Sequence, residues 1–334
     1  MKKAVLKYFN LQFFVTNKTT DNDLSAEMKT YYEKRLIDLA EPELVYDRFG
    51  DEYNIPQNGG KTIEFRKYAP HAKALTPISE GVTPTGNKLS VSTITSEIHQ
   101  YGDFTELSDT LILTAIDKNV VQATKLNASQ AGRTLDTVTR EVLMGGTNVI
   151  YAGGRAGRSS LQSTDVINVD LFRQAKRALA AQNAKKVDDS YVAIIHPDIT
   201  YDLTKDPNWI DVHKYMDAKA IYEGEVGKLF GIRFVESSEA KIWKDSTCPS
   251  DGGSGYLAVY GSLVLAAHAY GKTSIEGGGL QSIIKQLGSA GTADPLNQRA
   301  TVGWKAYKTA ERLVEQYMVR IESLSSYSAD ADAN

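Results

Sequence analysis

Tyr191-Val-Ala-Ile-Ile195 is followed by His196-Pro197-Asp198, a short mixed segment from Ile199 to Lys205, and Asp206-Pro-Asn-Trp209. Further on comes Gly224-Glu-Val-Gly227-Lys-Leu-Phe-Gly231-Ile-Arg-Phe-Val-Glu236. Five β-favouring residues halted at a proline read as a buried strand leaving its sheet. Asp198 is placed to cap a short helix over 199–205. The glycines at 224, 227 and 231 punctuate a second turn-and-strand unit, with Ile232 to Val235 as its strand.

At 334 residues the chain has room for a substantial core in one large or several small domains. Charged residues at 24% and apolar residues at 42% are ordinary for a globular protein. A single cysteine, Cys248, excludes an internal disulfide framework, so packing must hold the fold. No apolar run approaches the length of a membrane span. Lys2 and Lys3 precede an apolar stretch, but Lys7, Asn10 and Gln12 interrupt it and no small-x-small site follows. We read this N-terminus as an arm rather than a signal peptide. The net charge of −3 excludes a strongly cationic nucleic-acid binder. Residues 1–20 carry Lys2, Lys3, Lys7 and Lys18 without an acid. Residues 311–334 carry Glu311, Glu315, Glu322, Asp330 and Asp332 against Arg312 and Arg320, an asymmetry suited to head-to-tail contact between copies.

Outward from the opening block, Leu24, Met28, Leu36 and Leu39 recur at helical spacing before Pro42. Thr62–Tyr68 and Val91–Ile98 alternate as strands, joined by some twenty polar residues interrupted by Pro70, Pro77, Gly81, Pro84 and Gly86. Such a hairpin cannot bury itself against its own domain, and we read it as an arm reaching a neighbouring subunit. Ser108 is a helix cap, apolar residues from Leu111 to Val142 follow, and Gly145-Gly146 ends the pattern. If continuous, 109–144 is a helix of about 54 Å at 1.5 Å per residue; the alternative is two helices broken near Asn127 to Gly132. A helix opens at Asp170, and strands are expected over Tyr256–Tyr260, Leu263–Ala267, Ala300–Tyr307 and Arg312–Ile321, with a disordered tail from Ser325.

Motifs for chemistry are weak. Gly271-Lys272-Thr273 lacks the earlier glycine of a phosphate loop, since position 266 is alanine, and Gly277-Gly-Gly279 opposes a following helix. His196-Pro197-Asp198 matches the tripeptide of J-domain co-chaperones, but leaves a strand instead of joining two helices. His196, Asp198 and His213 are conceivable metal ligands with nothing to fix their geometry. Phe65-Arg66-Lys67-Tyr68 fits strand alternation better than base stacking. Hydrolase and metalloprotease patterns are absent, and neither an enzyme nor a cofactor is expected.

The block from Ile195 through Trp209 to Gly224-Glu-Val-Gly227 and Phe234-Val-Glu236 resembles the major capsid (head) proteins of tailed bacteriophages, in the family typified by the phage N4 major capsid protein. Asn10-Leu-Gln-Phe-Phe14 is similar to an opening found on many phage head proteins. The order of elements resembles the Hong Kong-type capsid fold, an α+β architecture. The resemblance implies an N-terminal arm and short helix at 1–50, an extended loop at 51–107 and a peripheral domain with spine helix at 108–186. It further implies an axial domain at 187–300, return strands to the peripheral domain at 301–324 and a disordered tail at 325–334. It implies pentamers and hexamers forming an icosahedral shell around double-stranded DNA, made in the bacterial cytoplasm and residing in the virion. Scaffold, portal and decoration proteins are further partners, and no membrane is involved. The loop's Lys67, His71, Lys73, Glu80 and Lys88 are then the assembly residues. Some members of the fold crosslink a loop lysine to an asparagine; no partner asparagine is identified here for Lys73 or Lys88. The alternative is an encapsulin-like nanocompartment shell.

Overall fold

The computed structural model describes residues 45–78, 80, 81, 83, 86–114, 119–209, 225–253, 255–289, 291 and 294–334. Residues 1–44 of the expected N-terminal arm, with its first helix, and His213 and Gly224 lie outside the described residues.

In chain order, strands β1 (Asp51–Ile55), β2 (Thr62–Tyr68), β3 (Val91–Glu97) and β4 (His99–Ser108) precede helices α1 (Asp109–Thr114) and α2 (Asn119–Met144). Strand β5 (Val149–Tyr151), helix α3 (Val169–Ala181), β6 (Tyr191–Ile195) and helix α4 (Pro197–Lys205) come next. They are followed by β7 (Glu225–Leu229), β8 (Ile232–Glu236), β9 (Ile242–Trp243) and β10 (Val259–Leu265). The last strands are β11 (Tyr270–Ile275), β12 (Gln281–Lys285), β13 (Arg299–Arg312) and β14 (Met318–Ser323).

A seven-stranded sheet runs β5-β14-β10-β6-β8-β7, with β9 on β10. All five residues of β6 are buried because both faces of the sheet are covered. Tyr191, Ala193 and Ile195 face one core with Phe172 and Leu179 of α3 and Ile199 and Leu203 of α4. Val192 and Ile194 face another with Tyr46, Leu143, Met144 and Tyr270. The predicted strand over 232–235 is β8, parallel to β6. Helix α4 starts two residues earlier than predicted, capped by His196 in place of Asp198: His196 Nδ1 accepts from Asp198 N at 3.2 Å, and Pro197 occupies the first turn. Asp198 instead lies 2.6 Å from the Tyr260 hydroxyl. Asn168, not Asp170, caps α3, accepting from Leu171 N at 3.0 Å.

The second sheet runs β1-β11-β13-β12, with β4 on β13. Fourteen-residue β13 pairs with β4 over ten positions, Arg299↔Ser108 to Lys308↔His99. Helix α2 lies on it, Ala128, Ala131 and Leu135 packing against Trp304 and Ala306. The helix runs unbroken through Asn127 and Gly132, about 39 Å at 1.5 Å per residue. Asn127 is tolerated mid-helix because Nδ2 donates to Val302 O at 2.7 Å while Oδ1 accepts from Thr105 at 3.1 Å. As predicted, Ser108 Oγ caps α1, accepting from Leu111 N at 3.2 Å.

Strand pairing divides the chain differently from the sequence reading. β11 and β12, assigned to the axial domain, join β13 and β4 in the five-stranded sheet, and β1, assigned to the loop, pairs with β11. Conversely β5, and β14 among the return strands, belong to the seven-stranded sheet. Residues 325–334, expected to be disordered, lie against the body. Ser325 Oγ donates to Asp202 at 2.9 Å, Asn334 Oδ1 accepts from Ile242 N at 2.9 Å, and Lys244 pairs with Asp330 at 2.6 Å. Their polar composition conceals these specific partners. Gly271-Lys-Thr273 sits within β11, where Lys272 faces Glu52 at 3.6 Å, so no phosphate-binding loop forms.

Phe234 is fully buried, its ring edge-on to Phe172 at 4.9 Å and Trp209 at 5.1 Å. Phe234→Ala should destabilise the subunit by about 3–5 kcal/mol in urea denaturation, and a loss below about 1 kcal/mol would show that this core is not closed around it.

Candidate assembly surfaces

Among the described residues, strands β2 and β3 pair with each other alone, in register from Thr62↔Glu97 to Tyr68↔Val91. At its base the ribbon is tied to the body. Ser96 and Thr309 hydroxyls meet at 3.1 Å and Phe65 stands edge-on to Tyr53 at 5.0 Å, while Ile98 N donates to Lys61 O at 2.9 Å and closes the ribbon's own ladder. The Phe65 contact confirms the structural reading of the Phe65–Tyr68 alternation. Beyond this base most of the ribbon's side chains are exposed, although a lone two-stranded ribbon is marginally stable in water. Tyr68, Leu75, Ile78 and Leu89 are each at least 60% exposed. Lys67, His71, Lys73, Glu80 and Lys88 are all exposed along the same projection. Among the described residues none of the five side chains is hydrogen-bonded or ion-paired, and they converge on no common site; the ribbon's ion pair is Arg66–Glu64 at 3.0 Å.

A second surface, unread in the sequence, is the face of the five-stranded sheet turned away from α2. Strand alternation sends Val302, Trp304 and Ala306 toward the helix, and puts Thr301 and Gly303 on the other face beside Phe104, Glu106 and Ile283. These residues line a shallow cavity of about 530 Å³, rimmed by Asp103, Lys285 and Arg299. Phe104 is 64% exposed, and nearby Leu113 and Leu296 are more so. Gly303 is obligatory here, because a Cβ would come within 2.8 Å of Phe104 Cβ. The only sequence signal was the alternation of Tyr101, Thr105 and Leu107, diluted by polar residues between them.

His196 and Asp198 approach to 3.5 Å, with the Tyr260 ring tilted against the imidazole at a centroid distance of 5.2 Å. Among the described residues no three acidic, histidine or cysteine side chains gather as a metal site would need. The Tyr260 hydroxyl lies 2.6 Å from Asp198 Oδ2 and 3.0 Å from Ser328 O, so this cluster fastens the tail to α4. Burial pushes the His196 imidazole below its ordinary value, against the opposing pull of Asp198 and Glu236.

A model of the phage capsid protein family matches residues 101–285, more than half of the chain. The chain belongs to that family. Its fold is that of the capsids of cyanophage P-SCSP1u (16% identity, TM-score 0.59, 85% of this chain and 89% of that one) and Ralstonia phage GP4 (14%, 0.62, 86% and 92%). The capsid of cyanophage Pam1 is similar too, at 13% identity and TM-score 0.61 over 85% of this chain and 89% of that one. No curated protein sequence matches significantly. The Hong Kong-type fold expected from the sequence is therefore present, and the protein is a capsid shell subunit; the nanocompartment alternative is not favoured.

In this capsid subunit the His196 cap requires a neutral Nδ1. A depressed folded-state value means stability is complete above the ordinary imidazole value of 6.5 and is lost as pH falls through the lower folded value. Thermal melting of His196→Asn, which keeps an N-cap acceptor, should lose the part of the acid-side decline that wild type shows below about pH 6.5. An unchanged profile would assign the decline to carboxylates instead.

Proposed function

We propose that copies of this chain assemble into pentamers and hexamers that tile an icosahedral shell around double-stranded DNA, the extended loop of one copy lying over the uncovered sheet face of the next. The observation that supports this most is the pairing of two deficits in one subunit. Among the described residues, nothing covers the apolar side chains of the ribbon over 62–97 or the apolar cleft around Phe104. Charge can add to the contact: Lys67, Lys73, Lys88 and Glu80 on the loop would meet a face that carries Lys285 and the Glu106–Arg299 ion pair at 3.5 Å. Each contact is small, but apolar burial at about 25 cal/mol per Å² repeated over every interface closes a shell without one strong contact.

In this reading the role is structural rather than enzymatic. The subunit is made in the host cytoplasm, resides in the virion and meets DNA through non-specific contacts. Scaffold, portal and decoration proteins are its further partners. The closer kinship to the phage N4 head protein, carried by the block from Ile195 to Glu236, belongs to the same proposal, and a reconstruction of the shell tests it.

Expressed alone or with its neighbouring genes, the chain should give closed shells or capsomer rings in negative-stain electron microscopy; a monomer under both conditions would sink the proposal. Deleting 72–86 should leave the circular dichroism of the subunit intact and abolish shells. Phe104→Asp should do the same at the opposite surface. Shells formed normally by either variant would show that this contact does not drive assembly, and an unfolded deletion would make the loop part of the subunit core.

A further inference from the structure

Where the described chain begins, it enters a buried polar cluster between α2 and β13. Tyr46 N donates to Asp136 Oδ1 at 2.7 Å, and Thr139 Oγ1 donates to Asp47 Oδ1 at 2.6 Å. Lys308 Nζ, from β13, is in contact with Asp47 Oδ2 and donates to Leu135 O at 2.9 Å. Asp136 is 1% exposed, and among the described residues its Oδ2 has no hydrogen-bond partner. Tyr46 and Leu135 close the site on the apolar side. A small cavity of about 140 Å³, lined by Asp47, Leu135, Lys272, Thr273 and Lys308 among others, adjoins it.

An amine, a carboxyl group and a second carboxyl group, held together and nearly dry, form the set that amide condensation needs. We propose that Lys308 Nζ and Asp47 Cγ join in an intramolecular isopeptide bond, with Asp136 carrying the proton. The ammonium of Lys308 first passes one proton to Asp47 Oδ2 across their contact, leaving a neutral amine and a neutral acid. The Nζ lone pair attacks Cγ, and charge developing on Oδ1 meets the Thr139 hydroxyl that already points at it. Asp136, whose unpartnered Oδ2 must first swing toward the pair, gives its proton to the departing Asp47 Oδ2 hydroxyl, which leaves as water, and takes one proton back from Nζ. The Cγ–Oδ2 bond breaks, the Nζ–Cγ bond forms, and Asp136 ends as it began. The adjoining cavity takes the released water.

The electrostatics favour this direction. Burial pushes the Lys308 amine below its ordinary value, Asp47 opposing, and pushes Asp136 up to about 7, so that it holds a proton near neutrality. Condensation replaces a desolvated ion pair by a neutral amide, removing the penalty that buried charges carry. The bond would join positions 261 residues apart within one chain, and so differs from a crosslink between a loop and its neighbour.

The test is intact-mass spectrometry of the full chain under denaturing conditions, taken from purified subunits and from shells. The expected mass is that of the sequence less one water, with peptide mapping that joins the Asp47 peptide to the Lys308 peptide. Asp136→Asn and Lys308→Arg should each restore the full mass. Wild-type chain at full mass in both samples overturns the proposal, as does a water loss that maps elsewhere. A joined peptide surviving in Asp136→Asn removes Asp136 from the chemistry. Where a variant fails to fold, the wild-type peptide map decides alone.

Discussion

The structure turns on β6 being buried from both sides. A strand with one wet face could have been served by α3 and α4 alone, but Val192 and Ile194 point away from those helices and need cover of their own. That cover comes from distant parts of the chain: Tyr46 before β1, Leu143 and Met144 at the end of α2, and Tyr270 at the start of β11. Each such side chain, fully withdrawn from water, contributes about 1.5–3 kcal/mol. Satisfying the inner face of one sheet thus fixes the end of the helix that lies on the other. Helix α2 packs its middle against β13 and its last turn against β6, so the two sheets cannot settle independently.

Polar ties at the same junction set its geometry. Arg320 Nη1 donates to Met144 O at the end of α2, and Arg140, 2% exposed, donates to Glu239 O at 2.5 Å. Glu322 is fully buried on β14 and receives Arg158 through both oxygens, at 2.7 and 2.9 Å, with the guanidinium 3.9 Å above Trp243. Desolvating these charges offsets most of their attraction, so their net contribution to stability is small. Removing one partner would be costly, because the other would remain buried and unpaired. Their effect is to exclude alternative packings: an α2 shifted by one turn would keep much of its apolar contact but would strand an arginine.

The sequence was legible where structure is local. The unbroken apolar run of β6, the strand at Ile232, the serine cap of α1 and the hairpin that cannot cover itself all follow from adjacent residues and their periodicity. The failures are long-range. Strand β4 carries Gln100, Gly102, Asp103 and Glu106, and only its pairing with β13 makes it a strand; β12 is likewise concealed in a glycine-rich segment. The sheet partners of β11, β12 and β14 were not legible, because pairing joins residues from about sixteen to more than two hundred positions apart, which no local window reveals. The tail looked disordered from its small and acidic residues, yet its backbone and side chains have particular partners in Asp202, Tyr260 and Ile242. Of the assembly surfaces, the loop was visible as an excess of polar chain without a core. The face that complements it was not, since an exposed Phe104 is distinguishable from a buried one only after the strand is placed.

A rigid body with a loosely supported ribbon is a sensible division for a subunit that must make many weak contacts. The face around Phe104 is built on a sheet backed by α2, so it is shaped before any partner arrives and loses little conformational freedom on contact. Among the described residues the ribbon is tied to the body at Ser96 and Phe65, and ordering its outer part on a neighbour would cost entropy that subtracts from the apolar gain. In the proposed assembly that subtraction would keep each contact weak enough to break and reform while a shell is incomplete, and only the closed arrangement would satisfy every ribbon at once. A bond from Asp47 to Lys308 would act on the opposite term. It would fasten the start of the described chain to β13 at the base of the body, stiffening the receiving surface while leaving the ribbon free to search.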